Sequence, residues 1–198
     1  MDKRQLTLAI IISNLTNPAV VLMAAVIVVI SRFADSPSEL WGWSAVSGAL
    51  LVLPGFLYAL ALWRKEKVID LDLSRREDRV VPLMLASLGA LVGGTIVSRL
   101  GIDERLVTIS YVLVAMLIML TIITTVWKIS LHTATMSALV SLLVFYQGEA
   151  YSYLYLLLLP TAWARLTLRQ HTKAQLAIGA VLGVILTLIL SAVFRAKL

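Results

Sequence analysis

The sequence predicts an all-α protein, a polytopic membrane helical bundle of about seven spans with almost no soluble domain. Of its 198 residues, 60% are hydrophobic and 14% are charged, whereas soluble domains carry roughly 25% charged residues. The mean hydropathy is +0.94. Too little polar surface is therefore available to cover a water-soluble globule, and hydrophobic runs occupy nearly all of the chain.

A spanning helix needs about 20 mostly apolar residues, because backbone groups must be hydrogen-bonded within hydrocarbon. The first run contains Asn14, Asn17 and Pro18, which predict a kink or a tilt. The fifth and sixth runs are short and rich in hydroxyl and aromatic side chains, so we expect them to face the bundle interior. We expect residues 1–198 to form a single transmembrane domain. The runs that qualify cover 6–31, 42–63, 80–98, 107–127, 131–147, 151–168 and 174–194.

The distribution of basic residues predicts which side of the membrane each loop occupies. Seven spans place twelve of the seventeen Lys and Arg residues on the side of the N-terminus, with loops 64–79, 128–130 and 169–173. Because Lys and Arg concentrate in cytoplasmic loops, we expect this side to be cytoplasmic. We expect the membrane to be the plasma membrane. The net charge of +6 is then explained without nucleic acid as a partner. The chain has no cysteine, which excludes disulfides and thiolate metal sites.

Two of the runs carry glycines four residues apart, Gly89 with Gly93 and Gly179 with Gly183. This spacing allows two helices to approach closely. We expect the glycines to serve packing within the chain, and a homodimer face is the alternative.

Ionisable side chains close to membrane depth are costly and usually mark a functional site. The first of three clusters on the predicted cytoplasmic side lies at 70–79 and includes Arg76 and Arg79, just before the third run. Guanidinium groups and a helix N-terminus both suit phosphate oxygens. The alternative for this cluster is a solvated charged loop that contacts lipid headgroups.

The second and third clusters hold the only two histidines of the chain. Their members are Lys128, Ser130 and His132 in the second, and Arg165, His171 and Gln175 in the third. His171 and Gln175 are four residues apart, which predicts that they share a helical face and interact. Taken singly, each cluster is as well explained by a buried core histidine or a basic loop. Even numbers of crossings place all three clusters on one face, however, and two histidines among arginines suit phosphoryl transfer.

The third cluster resembles a motif of the type 2 phosphatidic acid phosphatase superfamily of membrane lipid phosphatases. That family is recognised by K-x6-R-P, P-S-G-H and S-R-x5-H-x3-D, in this order. Arg165 and His171 match the third motif in spacing, with Ala164 in place of its serine and Gln175 in place of its aspartate. The resemblance implies that His171 is the nucleophile and that Arg165 binds phosphate. The carbonyl of Gln175 can accept the ring N–H and set the tautomer, as the aspartate does in the family.

The second motif matches at Ser130 and His132, with Ile129 and Leu131 in place of its proline and glycine. The resemblance implies that His132 is the general acid. We expect Ser130 and the neighbouring Lys128 to contact the phosphate.

The first motif is only approximated. No lysine stands at its spacing, and Pro82 follows Arg79 by three residues instead of one. Arg76 and Arg79 are the matching candidates for phosphate binding. The motif-bearing core covers about 64–194 of the chain.

The resemblance implies a lipid phosphatase without metal or cofactor, which hydrolyses a prenyl phosphate or diphosphate, or a glycerolipid phosphate, through a phosphohistidine. Its partners are the lipid phosphate substrate and membrane lipids. The first alternative is a membrane prenyltransferase in which Mg²⁺ is held by Asp70, Asp72, Glu77 and Asp78. Such an enzyme needs a second acidic motif several spans away, and the sequence has none. The second alternative is a catalytically degenerate member that binds phospholipid or serves as a partner subunit, which Gln175 keeps open.

Overall fold

The structure, a computed structural model, describes residues 2–32, 34–68, 73, 75–100 and 104–195. Every regular element in these ranges is helical, which confirms the all-α prediction for the described part of the chain. A 3₁₀ helix, Glu149–Leu157, precedes α8. The α-helices are α1 (Lys3–Leu15), α2 (Pro18–Ile30), α3 (Pro37–Leu51), α4 (Leu53–Arg64), α5 (Arg76–Arg99), α6 (Glu104–Val126), α7 (Leu131–Gln147), α8 (Leu158–Thr167) and α9 (Lys173–Arg195).

Helices long and apolar enough to cross a membrane are present. Among the described residues, Arg76–Ile96 of α5 and Lys173–Val193 of α9 qualify by themselves. The pairs α1 with α2 and α3 with α4 qualify when each is taken as one bent span, which raises the number to four. Ser110–Val126 of α6 and all of α7 are apolar but shorter. These helices suggest a membrane protein, while a bundle of about seven spans stays a prediction.

The outward faces of the two long helices are apolar. Leu88 on α5 and Ile189 on α9 are 58% and 56% exposed, and only 28% of each spanning window is buried inside the protein. Large apolar side chains exposed along a whole helix face fit hydrocarbon as the surrounding solvent.

The kink predicted in the first run is confirmed. The axes of α1 and α2 differ by 44°, and α2 begins at Pro18. The side-chain oxygen of Asn17 accepts the backbone N–H of Ala19 at 3.0 Å. Asn17 therefore caps a new helix, and the proline at its first position needs no N–H partner.

The second run differs from the single helix expected over 42–63. Its helix α3 begins earlier, at Pro37, because Ser36 caps it by accepting the N–H of Glu39 at 3.2 Å. The run is also bent by 46° between α3 and α4. Pro54 lies in the first turn of α4, where it lacks an N–H to continue the hydrogen bonds of α3.

The fifth and sixth runs behave differently from each other. Helix α7 is buried along most of its length, as expected for a helix facing the interior. The prediction that 151–168 forms one interior helix is wrong. This segment begins as the 3₁₀ helix, which has no buried residue, and becomes α-helical only at Leu158. The hydroxyl of Tyr155 lies 2.8 Å from that of Ser141 and ties the 3₁₀ helix to α7.

The contacts divide the chain into two compact units. Unit 1 comprises Met1–Ala25 and Ile129–Ser191, and unit 2 comprises Val26–Lys128 and Ala192–Leu198. Within unit 2, α5 packs against α3, α4 and α6. Gly89 of α5 lies against the backbone carbonyl of Leu50, and Gly55 of α4 against that of Pro82. Unit 1 contains both histidines.

Candidate functional site

Helices α7 and α9 of unit 1 approach each other at two glycines. A Cβ atom added to Gly179 would lie 2.6 Å from Oγ1 of Thr133 and 2.7 Å from the carbonyl oxygen of Ser130. A Cβ atom added to Gly183 would overlap Oγ of Ser137. The expected use of this glycine pair in packing within the chain is therefore confirmed. Any larger side chain would force the two helices apart.

This close approach places the first turns of α7 and α9 side by side. The hydroxyl of Thr133 donates to the carbonyl oxygen of Leu176 at 2.9 Å, and the N–H of Ser130 donates to that of Gln175 at 3.4 Å. The fully buried Ser130 also caps α7, because its Oγ accepts the N–H of Thr133 at 3.5 Å. Two helix N-termini, each carrying a partial positive charge, thus lie together.

The chain reverses between α8 and α9 through a tight turn. The N–H of Gln170 donates to the carbonyl of Arg165, and the N–H of Arg169 donates to that of Leu166, both at 3.0 Å. Arg169 has a φ of 54°. It therefore adopts the left-handed conformation that is common just after the end of a helix, where the residue is usually glycine. The turn is a Schellman motif. The chain thus reverses its direction between Arg165, at the end of α8, and His171, just before α9.

Helix α9 then begins with a capping box. The N–H of Gln175 donates to Oγ1 of Thr172 at 3.3 Å, and the N–H of Thr172 donates to Oε1 of Gln175 at 3.1 Å. The carbonyl of Thr172 accepts the N–H of Leu176 at 3.2 Å, as an N-cap residue does. His171 therefore precedes the helix, and the prediction that it shares a helical face with Gln175 is wrong. Their contact arises from the cap.

This contact determines the tautomer of His171. Its Nδ1 lies 3.1 Å from Oε1 of Gln175. Because the same atom accepts the backbone N–H of Thr172, it is the amide oxygen and not the amide nitrogen. Nδ1 must therefore carry the proton and donate it. In the neutral ring the lone pair is then on Nε2. Through this atom the imidazole can act as a nucleophile or accept a proton.

Arg165 is fully buried in the last turns of α8. Its Nη1 donates to Oγ of Ser13 at 2.6 Å, across the contact between α8 and α1. Ser13 was not predicted as a site residue. A signal for it exists in the sequence, since it is a hydroxyl within an apolar run and lies four residues after Ala9, the other buried residue of α1.

His132 is the second residue of α7 and is 4% exposed. The Nε2 atoms of His132 and His171 are both buried. The acidic residues of unit 1 among the described positions, Asp2 and Glu149, are exposed. The described interior of unit 1 therefore holds one guanidinium, two imidazoles and no carboxylate, which is a composition suited to an anion.

The candidates from the first cluster, and Lys128, belong to unit 2. Arg79 is buried in the first turns of α5, and its Nε donates to the carbonyl oxygen of Leu73 at 2.5 Å. Arg79 therefore secures the loop before its own helix. Arg76 and Lys128 are half-buried. Phosphate binding by these three residues stays a prediction.

The acidic residues of the Mg²⁺ alternative are close in the sequence to Arg76 and Arg79. Asp70 and Asp72 fall outside the described residues, Glu77 is exposed and Asp78 is half-buried. Among the side chains that the structure describes, His, Asp and Glu form no group of three that could hold a metal ion.

Comparison of the chain with protein-family models, with characterised proteins and with solved structures finds no match. The chemistry of unit 1 follows from its residues instead. An imidazole with a defined tautomer can attack an electrophile or accept a proton. A buried guanidinium and two helix N-termini can hold the oxygens of an anion.

Proposed function

We propose that the protein is a membrane lipid phosphatase that works without a metal ion, as the type 2 phosphatidic acid phosphatases do. The observation that carries the proposal is the hydrogen bond from Nδ1 of His171 to Gln175. It leaves the lone pair of the neutral ring on Nε2, in a unit that also buries His132 and Arg165. A nucleophile, an acid and an anion-binding group are the parts that this reaction needs.

In the first step, Nε2 of His171 attacks phosphorus and forms a P–N bond while the P–O bond to the lipid breaks. His132 donates a proton to the leaving oxygen, so that an alcohol leaves instead of an alkoxide. When the substrate is a diphosphate, the leaving group is the phosphorylated lipid. The Nδ1–H of His171 keeps its bond to Gln175 as the ring becomes positively charged.

In the second step, water attacks the phosphohistidine and the P–N bond breaks. His132, now neutral, accepts a proton from this water, and inorganic phosphate leaves. Arg165 stabilises the negative oxygens in both steps. The N-termini of α7 and α9 add favourable dipoles at the same end of unit 1.

The substrate class is a prenyl phosphate or diphosphate, or a glycerolipid phosphate, which reaches the site from within the membrane. We further propose about seven spans in the plasma membrane, with Arg165 and His171 on the cytoplasmic side. This sidedness rests on the twelve of seventeen Lys and Arg residues assigned there. Arg76, Arg79 and Lys128 are proposed to bind phosphate oxygens as well. A homodimer is also possible as a partner arrangement, as the glycine spacing of Gly89 with Gly93 allows.

One observation favours a second candidate function, which is phospholipid binding without turnover. The group on Nδ1 of His171 is the neutral amide of Gln175, and a neutral amide stabilises an imidazolium less than a carboxylate does. Removing the orienting carboxylate from a Ser-His-Asp triad costs up to about 10⁴-fold in kcat. The protein would then hold a lipid phosphate in the same site and release none of it.

Phosphate release by purified protein in mixed micelles tests both candidates. Substrates are dioleoyl phosphatidic acid, a prenyl phosphate and a prenyl diphosphate, each assayed with EDTA and, separately, with Mg²⁺. The proposal predicts release that EDTA does not reduce and that is absent from His171→Ala. The second candidate predicts lipid binding with no release from any substrate.

Activity that EDTA abolishes would contradict the proposal and favour the Mg²⁺-dependent alternative. Retained turnover in His171→Ala would contradict the assigned nucleophile. Lys173→Ala is a suitable control, because this exposed side chain lies two residues from His171 and has no assigned role.

A further inference from the structure

Arg165 is held by a helix that none of the three sequence clusters includes. Its Nη1 donates to Oγ of Ser13 at 2.6 Å, between residues 152 positions apart in the chain. Ser13 is 3% exposed and Arg165 is fully buried. The contact is therefore a short, charge-assisted hydrogen bond shielded from solvent, which is the strong kind.

The packing around this bond is close. Ala9 and Ser13 are the buried residues of α1, and Thr161, Ala164 and Arg165 are those of α8. Four of these five side chains are small, so the two helix backbones can lie near each other. The position of Ser13 relative to α8 is thereby restricted. The chain bends by 44° shortly after Ser13, at the end of α1.

A guanidinium group is planar and only donates hydrogen bonds, whereas a hydroxyl both donates and accepts. A bond at Nη1 limits rotation of the guanidinium plane and restricts the directions in which its other N–H groups can point. Two-point recognition of phosphate depends on this orientation. A guanidinium group rotated away from this orientation would donate one hydrogen bond to the phosphate instead of two.

We infer that Ser13 is a positioning residue, which orients Arg165 toward a phosphate-class anion and makes α1 part of the binding site. The inference rests on the proposed function only in the nature of the anion. It assigns the N-terminal helix a role that the motif resemblance does not.

Binding of inorganic phosphate tests the inference without requiring turnover. Equilibrium dialysis with radiolabelled phosphate measures the Kd of the full chain in detergent, and thermal unfolding of the same samples measures Tm. Ser13→Ala removes the acceptor with little change in volume. Losing one hydrogen bond to a charged group should weaken phosphate binding about tenfold. Ser13→Thr retains the hydroxyl, so its Kd should lie nearer to that of wild type than the Kd of Ser13→Ala does, while the added methyl group should lower Tm in this close helix contact.

Ala9→Gly is the matched control, because it alters the buried face of the same helix one turn earlier and removes no hydrogen-bonding group. It should lower Tm at least as much as Ser13→Ala does and leave the Kd for phosphate unchanged. Equal loss of phosphate affinity in Ala9→Gly and Ser13→Ala would overturn the inference, since packing alone would then explain it.

The remaining outcomes separate the inference from the proposed function. If wild type binds phosphate and Ser13→Ala binds it equally well, the positioning role is wrong and the phosphatase proposal stands. If the wild-type protein binds no phosphate, both are wrong. If wild type binds phosphate and Ser13→Ala does not, but no variant or substrate gives turnover, the positioning role stands and the phosphatase proposal fails.

Discussion

The Nδ1 atom of His171 and the Oε1 atom of Gln175 lie 3.1 Å apart, and the same oxygen accepts the backbone N–H of Thr172. One amide oxygen therefore caps helix α9 and selects the tautomer of the histidine. The two roles are physically linked, because replacing the Gln175 side chain removes both the cap on the Thr172 N–H and the group that orients the ring. Gln175 is thus both a structural and a candidate functional residue.

A glutamate at position 175 should raise turnover, and an aspartate should preserve or raise it. Gln175→Glu keeps the length of the side chain and the usual capping-box residue, and it adds a charge that stabilises the imidazolium of His171. Gln175→Asp is shorter by one methylene and should remain active. Gln175→Ala should lower kcat and also cost about 1 kcal/mol of stability, since the cap is lost. Steady-state kinetics and thermal unfolding of the three variants measure these effects.

Thr172→Ala is the control, because it removes Oγ1 from the cap and leaves Oε1 of Gln175 beside His171. It should lower stability by a similar amount with little change in kcat. Loss of activity in both Gln175→Glu and Gln175→Asp would show that this residue does not occupy the role of the family's aspartate. Unchanged kcat in Gln175→Ala would do the same.

The two histidines should differ in their dependence on the leaving group. A good leaving group needs no protonation as it departs, so a substrate such as p-nitrophenyl phosphate should bypass the general acid. His132→Gln should therefore lose much of its activity toward a lipid phosphate and retain most of it toward p-nitrophenyl phosphate in the first turnover. His171→Gln should lose both, because no phosphohistidine can form.

Rapid-quench measurement of the burst of p-nitrophenol separates this first turnover from hydrolysis of the intermediate. If both variants lose the burst equally, His132 is not the general acid. One phosphate must contact both imidazoles for this scheme. A measured separation of the rings beyond about 12 Å, which is a phosphate and two hydrogen bonds with slack, would be incompatible with it.

Enlarging the glycines between α7 and α9 should destabilise unit 1. A Cβ at Gly183 overlaps Oγ of Ser137, and one at Gly179 lies 2.6 Å from Oγ1 of Thr133. Overpacking of this kind costs about 1–3 kcal/mol, so Gly183→Ala should lower Tm. Gly179→Ala should reduce phosphate release as well, because it separates the helix ends that carry the histidines.

Gly42 supplies the control, because no atom lies within 4 Å of an added Cβ there and it lies inside helix α3. Gly42→Ala should stabilise the protein slightly or leave it unchanged. Thermal unfolding in one detergent compares the three variants. A stable Gly183→Ala with wild-type activity would show that the two helices can separate at no cost.

Arg169→Gly should stabilise the turn between α8 and α9. Arg169 has a φ of 54°, which costs an L-residue about 1–2 kcal/mol, whereas added unfolded-state freedom costs about 0.5–1 kcal/mol. The net gain is about 0–1.5 kcal/mol by these magnitudes, with phosphate release retained. Gly148→Ala is the reverse case, because Gly148 has a φ of 118° and open space around it. It should lower Tm, and a rise in its Tm would contradict the backbone explanation.

The absence of cysteine makes the predicted sidedness directly testable. Lys65→Cys and Ala150→Cys each introduce one thiol at an exposed position. With an impermeant maleimide on intact cells, we expect labelling at position 150 and none at position 65. Permeabilised cells should label both. The opposite pattern would reverse the proposed orientation, and labelling of both positions from outside would exclude an odd number of spans between them.

Local sequence signals predicted which segments are helical better than they predicted where a helix bends or breaks. The kink at Asn17 and Pro18 was predictable because an N-cap residue followed by proline starts a new helix wherever it occurs. The bend at Pro54 was equally local but was missed within a long apolar run. The 3₁₀ helix before α8 was not predictable, since hydropathy does not distinguish it from an α-helix and its contact with Ser141 comes from tertiary packing.

The candidate site shows the same division. The spacing of Arg165 and His171 singled out a segment that the structure resolves into a Schellman turn and a capping box. Thr172 and Gln175 form a T-x-x-Q capping signature that was not among the predictions, which placed His171 and Gln175 on one helical face instead. Its effect on the histidine appears only in the structure, where Nδ1 of His171 and the backbone N–H of Thr172 share the Oε1 atom of Gln175.

The sequence by itself determined that the chain is helical, apolar on its exterior and equipped with two histidines beside basic residues, because periodicity, hydropathy and residue type are properties of short segments. Tertiary structure decided which groups meet. Only the approach of α9 to α7 at Gly179 brings two helix N-termini together, and only the contact of α1 with α8 places Ser13 on Arg165. Such contacts depend on backbone distances between helices far apart in the chain. The spacing of Gly179 and Gly183 predicted a close approach but not which helix would make it.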